Sequence, residues 1–242
     1  MELKKTFSRK RTIFLLLFLV MVLIGKKINF SPVIGAENQY FTLFQFFGPI
    51  TGSFLGPVFG AVSVLGAEVA DFLITGKALN PINLVRLTPM LFAAYYFGTR
   101  KRNRVSIAVP LIAMVLFMLH PVGREVWFFA LYWTIPIIVK LLPKGYSNNL
   151  VLRSLGATFT AHSVGTAAWI WVVPMTAEQW IMLIPIVAFE RLMFTAGIVV
   201  SYVMVDTALD RLFNGFKWKI PSEVLFVDKR YVLSKRLFGI LT

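Results

Sequence analysis

The chain has no cysteine. That excludes a disulfide framework, thiolate catalysis and any cysteine-ligated metal. Histidine is nearly absent as well, with only His120 and His162. Neither stands in an HxxE or HExxH spacing, so no metal centre is expected. Charge is sparse at 15% of residues, and acids are the rarer sign, 11 against 25 Lys and Arg. No GxSxG elbow, Walker A loop or paired-aspartate prenyl-diphosphate motif occurs. The expectation is a protein that is not an enzyme, uses no cofactor and cannot itself hydrolyse ATP. Strand-period alternation is missing, which argues against a barrel. The net charge of +14 would suit nucleic acid, but no platform of interleaved basic and aromatic residues occurs. Nucleic acid is therefore not an expected partner.

What the chain has in quantity is apolar sequence. Hydrophobic residues make up 57% of it, too much for an ordinary soluble domain of 242 residues. Several runs of 14–26 residues carry few or no charges. The reading is an all-α, polytopic helical membrane protein in the cell membrane, with about six transmembrane helices. The spanning domain covers 1–212, and 213–242 is a basic cytoplasmic tail, either lying on anionic lipid or solvated.

Basic residues fall between the apolar runs. Segments 1–11, 100–104, 140–153 and 211–236 hold 19 of the 25, as cytoplasmic loops do. The N-terminus, both loops and the tail are thus expected inside. Residues 26–43 are expected as an outer loop. Trp127, Trp133, Trp169, Trp171 and Trp180 lie near the ends assigned to the outer interface. One count conflicts: three apolar segments separate the first two basic segments, an odd number.

The conflict centres on residues 44–74. Gly48, Gly52, Gly56 and Gly60 recur every fourth residue, which on one helix makes a strip without side chains. Pro49 and Pro57 follow two of them and break the helix. The stretch either crosses once as a kinked packing helix or forms a broken, re-entrant pair. Glu68 and Asp71 follow, three apart on one face. Ionisable residues at membrane depth need partners. The candidate buried charge network is Glu68, Asp71, Arg86, His162, Glu190 and Arg191. Adjacent residues point about 100° apart on a helix, so Arg191 is expected to meet Glu68 or Asp71, and Glu190 to meet Arg86 or His162. Such a network either fixes helix register or contacts substrate. His162 sits among small and hydroxyl residues, with Thr158, Ser163 and Thr166 as expected partners.

Gly56-Pro57-Val58-Phe59-Gly60-Ala61, with Asp71 about ten residues on, resembles the substrate-binding S components of energy-coupling factor transporters. Asn80-Pro81-Ile82-Asn83, leading into a helix that ends in Tyr96-Phe97-Gly98, is similar to that family too. The resemblance covers about residues 12–210. It implies six membrane helices, a vitamin-type site near the outer face, and partnership with a transmembrane coupling subunit and two ATPases. S components often carry Ala-x-x-x-Ala on the first helix; here Ile13–Ile24 has large side chains.

The expected function is a membrane solute-binding or uptake subunit that takes a small water-soluble metabolite from outside. The candidate lining is Asn38, Gln39 and Tyr40 from the first loop, Arg124 and Glu125 from the 120–125 turn, and Trp169, Glu178, Gln179 and Trp180 around the last outer turn. The alternatives are a membrane scaffold whose glycine strip binds a partner helix, and an intramembrane enzyme using Glu68, Asp71, His162 and Glu190.

Overall fold

The computed structural model describes residues 9–34, 39–100, 102–215 and 226–233. It is mostly helical. Helix α1 (Arg9–Gly25) turns Phe14, Phe18 and Val22, four apart, onto the core. Two short antiparallel strands follow, β1 (Asn29–Pro32) and β2 (Tyr40–Thr42), with Ser31 opposite Phe41 and Pro32 opposite Tyr40. The expected outer loop is thus partly a hairpin, the one departure from all-α among the described residues.

Residues 44–74 form three helices: α2 (Phe44–Phe47), α3 (Thr51–Leu55) and α4 (Pro57–Ile74). Gly56 sits between the last two at φ +85°, a conformation that L side chains avoid, and Pro57 opens α4 where its missing N–H costs nothing. The chain folds back there. A Cβ built on Gly60 would lie 2.4 Å from the Gly52 Cα, and one on Gly52 would lie 1.8 Å from the Ala94 carbonyl oxygen. The glycines therefore do not form one strip on one helix. Gly52 and Gly60 let α3, α4 and α6 touch backbone to backbone, while Gly48 packs against the Phe44 and Met90 side chains.

Helix α5 (Pro81–Val85) is capped by Asn80, whose side chain accepts from the Asn83 amide at 2.8 Å. Then come α6 (Pro89–Gly98), α7 (Arg104–Leu119), α8 (Pro121–Glu125), a 3-10 turn over Trp127–Trp133, α9 (Thr134–Leu141) and α10 (Lys144–Ser147). Helix α11 (Leu150–Val172) runs through the centre, and α12 (Ala177–Gly215) closes the bundle. Small residues on α11, among them Gly156, Ala157 and Ala161, are buried where α6 packs on it.

One end of the bundle is basic and closed. Lys140 donates to the Tyr96 carbonyl at 3.1 Å and to the Thr99 carbonyl, while Arg153 donates to the Phe97 carbonyl at 2.6 Å and to Ser53 Oγ at 3.2 Å. Two cations read as loop residues in the sequence are thus buried under the carbonyl end of α6, where positive charge and N–H donors belong. The tail returns to this end. The Phe226 amide donates to the Phe54 carbonyl at 3.2 Å, the Asp228 amide to Asp206 Oδ1 at 3.0 Å, and the Leu233 amide to Thr207 Oγ1 at 3.0 Å. Residues 226–233 are therefore docked on the bundle, neither free in solvent nor laid out separately; the remainder beyond Gly215 lies outside the described residues.

The outward surface is apolar. Val58, Val62 and Leu73 of α4, Ile112, Val115 and Leu119 of α7, and Met182, Phe189, Leu192, Val200 and Met204 of α12 are all exposed, while Lys140, Arg153, Arg191 and Asp206 are 0–3% exposed. Two helices, Pro57–Ile74 and Ala177–Leu212, are long and apolar enough to cross a membrane. Arg104–Leu119 and Trp127–Leu141 are apolar but shorter.

Candidate functional site

At the end opposite Lys140 and Arg153 the helices part around a cavity of 520 Å3. That is within the range of about 300–1,000 Å3 typical of small-molecule sites. The β-hairpin lies over it with Tyr40 and Phe41, α1 ends in it at Lys26, and α4 contributes Glu68 and Asp71 from its last two turns. Arg86 enters from the end of α5, His162 and Trp169 from α11, and Trp180, Glu190 and Arg191 from α12. Phe129 of the 3-10 turn completes an aromatic wall with the two tryptophans, its ring 5.2 Å from Trp180 and 5.7 Å from His162.

Charges in the cavity are arranged in three groups. In the first, Lys26 bridges Glu68 and Asp71, reaching Asp71 at 3.0 Å, and Lys77 meets Asp71 at 2.8 Å. In the second, Glu190 accepts from Ser31 Oγ at 2.6 Å and pairs with Arg191 at 3.1 Å. The Arg191 guanidinium also lies over Phe41 at 4.9 Å and Phe194 at 4.4 Å. In the third, Arg86 donates to Gln39 Oε1 and to the Tyr40 carbonyl at 2.5 Å, tying the hairpin to α5.

These pairings correct the expected ones. Arg191 meets neither Glu68 nor Asp71. Its long arm bends back to Glu190, because 100° between Cα–Cβ directions does not bind a side chain with four rotatable bonds. Lys26, at the start of the expected outer loop, takes both α4 acids instead. Glu190 meets Ser31 across the bundle, where the sequence pointed to Arg86 or His162. His162 is held by an unexpected donor, Trp133 Nε1, at 3.0 Å from its Nδ1. The nearby hydroxyl of Ser163 bonds to the Thr160 carbonyl of its own helix at 2.8 Å.

Of the candidate lining, Gln39, Tyr40, Trp169 and Trp180 face the cavity. Asn38 lies outside the described residues. Arg124, Glu125, Glu178 and Gln179 are exposed and off the cavity wall. Gln179 closes the start of α12 reciprocally with Thr176: its Oε1 accepts from the Thr176 amide at 2.9 Å, and Thr176 Oγ1 accepts from the Gln179 amide at 3.4 Å. The tryptophans also divide. Trp127 and Trp171 are exposed as an interface belt would be, whereas Trp133, Trp169 and Trp180 are core or cavity wall. Sequence reasoning missed Lys26, Ser31, Phe41, Lys77 and Phe129. Only Lys26 carried a signal, as a cation ending an apolar run. Among the described residues no three His, Asp or Glu side chains group as a metal site.

No family model and no solved structure matches the chain. It is similar to an uncharacterized protein of Methanocaldococcus jannaschii, at 23% identity over 231 residues, covering 88% of this chain and 73% of that one.

Proposed function

We propose that this chain is a multi-pass membrane protein whose cavity binds a small metabolite from the outer face, in the manner of an S component of an energy-coupling factor transporter. The observation that carries the reading is the cavity itself. It is large enough for a vitamin-sized molecule, and it mixes an aromatic wall with buried charged groups at one end of a bundle whose outer surface is apolar. Apolar side chains outside and charges inside invert the soluble pattern and suit a lipid surround.

The fold-back at Gly56 supports the charge-based topology. Residues 44–55 run to the basic end and 57–74 return to the cavity end, so an even number of passes separates the N-terminal basic segment from residues 100–104. On this reading the described parts of the basic segments share the cytoplasmic side and the cavity opens outward. Transport energy would come from a coupling subunit with ATPases. The scaffold alternative loses support, because two glycines of its strip, Gly52 and Gly60, are spent on contacts inside the chain.

The test is purification in mild detergent followed by mass spectrometry of released small molecules. The expected result is one metabolite near equimolar with protein, lost when Trp169→Ala removes part of the aromatic wall. A clean protein that no added metabolite stabilises against heat would contradict the reading.

A further inference from the structure

We infer that the cavity's ligand is an anion: a planar ring carrying a carboxylate or phosphate group. The inference rests on the solute-binding reading above and names the ligand class for that cavity. It comes from counting which polar groups in the wall are already satisfied.

The acids are spent. Glu68 and Asp71 are held by Lys26 and Lys77, and Glu190 by Arg191 and Ser31. Donors are left over. Arg191 is 3% exposed and its Nε finds no acceptor; Trp180 is 2% exposed and its Nε1 finds none either. Both residues line the cavity, and neither atom can do anything but donate. His162 adds a third donor. Its Nδ1 accepts from Trp133, so in the neutral ring the proton sits on Nε2. Arg86 feels the charge of Glu68, but its hydrogen bonds among the described residues go to neutral acceptors, the Gln39 amide oxygen and the Tyr40 carbonyl. The lining holds five cations, Lys26, Lys27, Lys77, Arg86 and Arg191, against three carboxylates.

A buried donor without an acceptor is costly, and in a binding site the ligand is what relieves it. A ligand rich in acceptors and negative charge suits the donors of Arg191, Trp180 and Arg86; a cationic ligand suits none of them and meets carboxylates already neutralised. The flat walls of Phe129, Trp169 and Trp180 favour a ring over an aliphatic acid. Carboxylate and phosphate share this donor chemistry, and the two are separated by experiment.

Small molecules released from purified full-length protein are identified by mass spectrometry, alongside thermal-shift titration with matched pairs: nicotinate against nicotinamide, pyridoxal 5′-phosphate against pyridoxal, and the cation thiamine. The expected result is a retained ring compound that is anionic at pH 7, its formula showing whether phosphorus is present, and a larger shift with the anionic member of a pair. Trp180→Phe keeps the ring and removes the donor, and should weaken binding about tenfold; Arg191→Met should weaken it about a hundredfold. A retained cation or neutral molecule, or an anion bound equally well by the wild type and by Trp180→Phe that melts normally, overturns the inference and leaves the solute-binding reading standing. No retained molecule and no shift with any probe overturns both.

Discussion

Single residues decide how the buried charges are matched, and here the ends of side chains matter more than the positions of Cα atoms. Glu68 and Asp71 share Lys26, which is only 12% exposed at its side chain. Removing Lys26 strands Glu68, while Asp71 keeps Lys77 at 2.8 Å. Lys26→Met should therefore cost about 3–5 kcal/mol, and adding Glu68→Gln should recover part of the loss. A double-mutant cycle on thermal stability in detergent checks this. Arg191→Met combined with Glu68→Gln should be additive, since they touch different partners; coupling between those two would contradict the arrangement. That acids at 68 and 71 and charges at 190 and 191 belong to one buried region was legible in the sequence, because apolar runs make each ionisable residue conspicuous. The partners were not legible. Lys26 lies at a helix end, where snorkelling is the ordinary reading, and Arg191 meets its own neighbour only through side-chain torsions that no spacing rule records.

Among the elements, the broken stretch from 44 to 74 carries the most weight. Its glycines and prolines announced a break, and the structure places that break at Gly56. The four-residue spacing pointed to one strip on one helix, but the chain reverses at Gly56, and Gly52 and Gly60 become contacts between α3, α4 and α6. Spacing within a segment cannot distinguish these outcomes, because both require small residues. Gly52→Ala brings a methyl to 1.8 Å from the Ala94 carbonyl oxygen and should unfold the stretch or lower the melting temperature sharply. Gly66, on the adjoining α4 helix, has nothing within 4 Å of its missing Cβ. Gly66→Ala should raise stability by about 0.5–1 kcal/mol through helix propensity alone. Melting curves of the two variants should move in opposite directions; equal shifts would mean that Gly52 is not in backbone contact. The tail element is held more weakly. Asp228 pairs with Arg100 at 3.4 Å and Arg230 at 2.7 Å, near the surface. Asp228→Asn should raise hydrogen exchange at the Phe226 and Asp228 amides while shifting global stability by less than about 1 kcal/mol. Unchanged exchange would show that the backbone bonds alone hold the tail.

For the whole molecule, the proposed arrangement is a bundle with its cavity outside and its basic end inside. That the chain is mostly helical was legible from composition, since 57% apolar sequence without strand alternation leaves few choices. Which end would carry the site was legible only in part. Gln39, Tyr40, Trp169 and Trp180 reach the cavity, but Arg124, Glu125 and Glu178 are exposed elsewhere on the surface, because turn residues at one membrane level need not face one another. Since the chain has no native cysteine, single cysteines report orientation without background. Leu79 is 80% exposed on the loop before α5, and Tyr146 is 66% exposed between α9 and α11 at the basic end. Labelling intact cells with a membrane-impermeant thiol reagent should modify Leu79→Cys and spare Tyr146→Cys until the membrane is opened. Labelling of Tyr146→Cys in intact cells, or of both positions alike, would contradict the account.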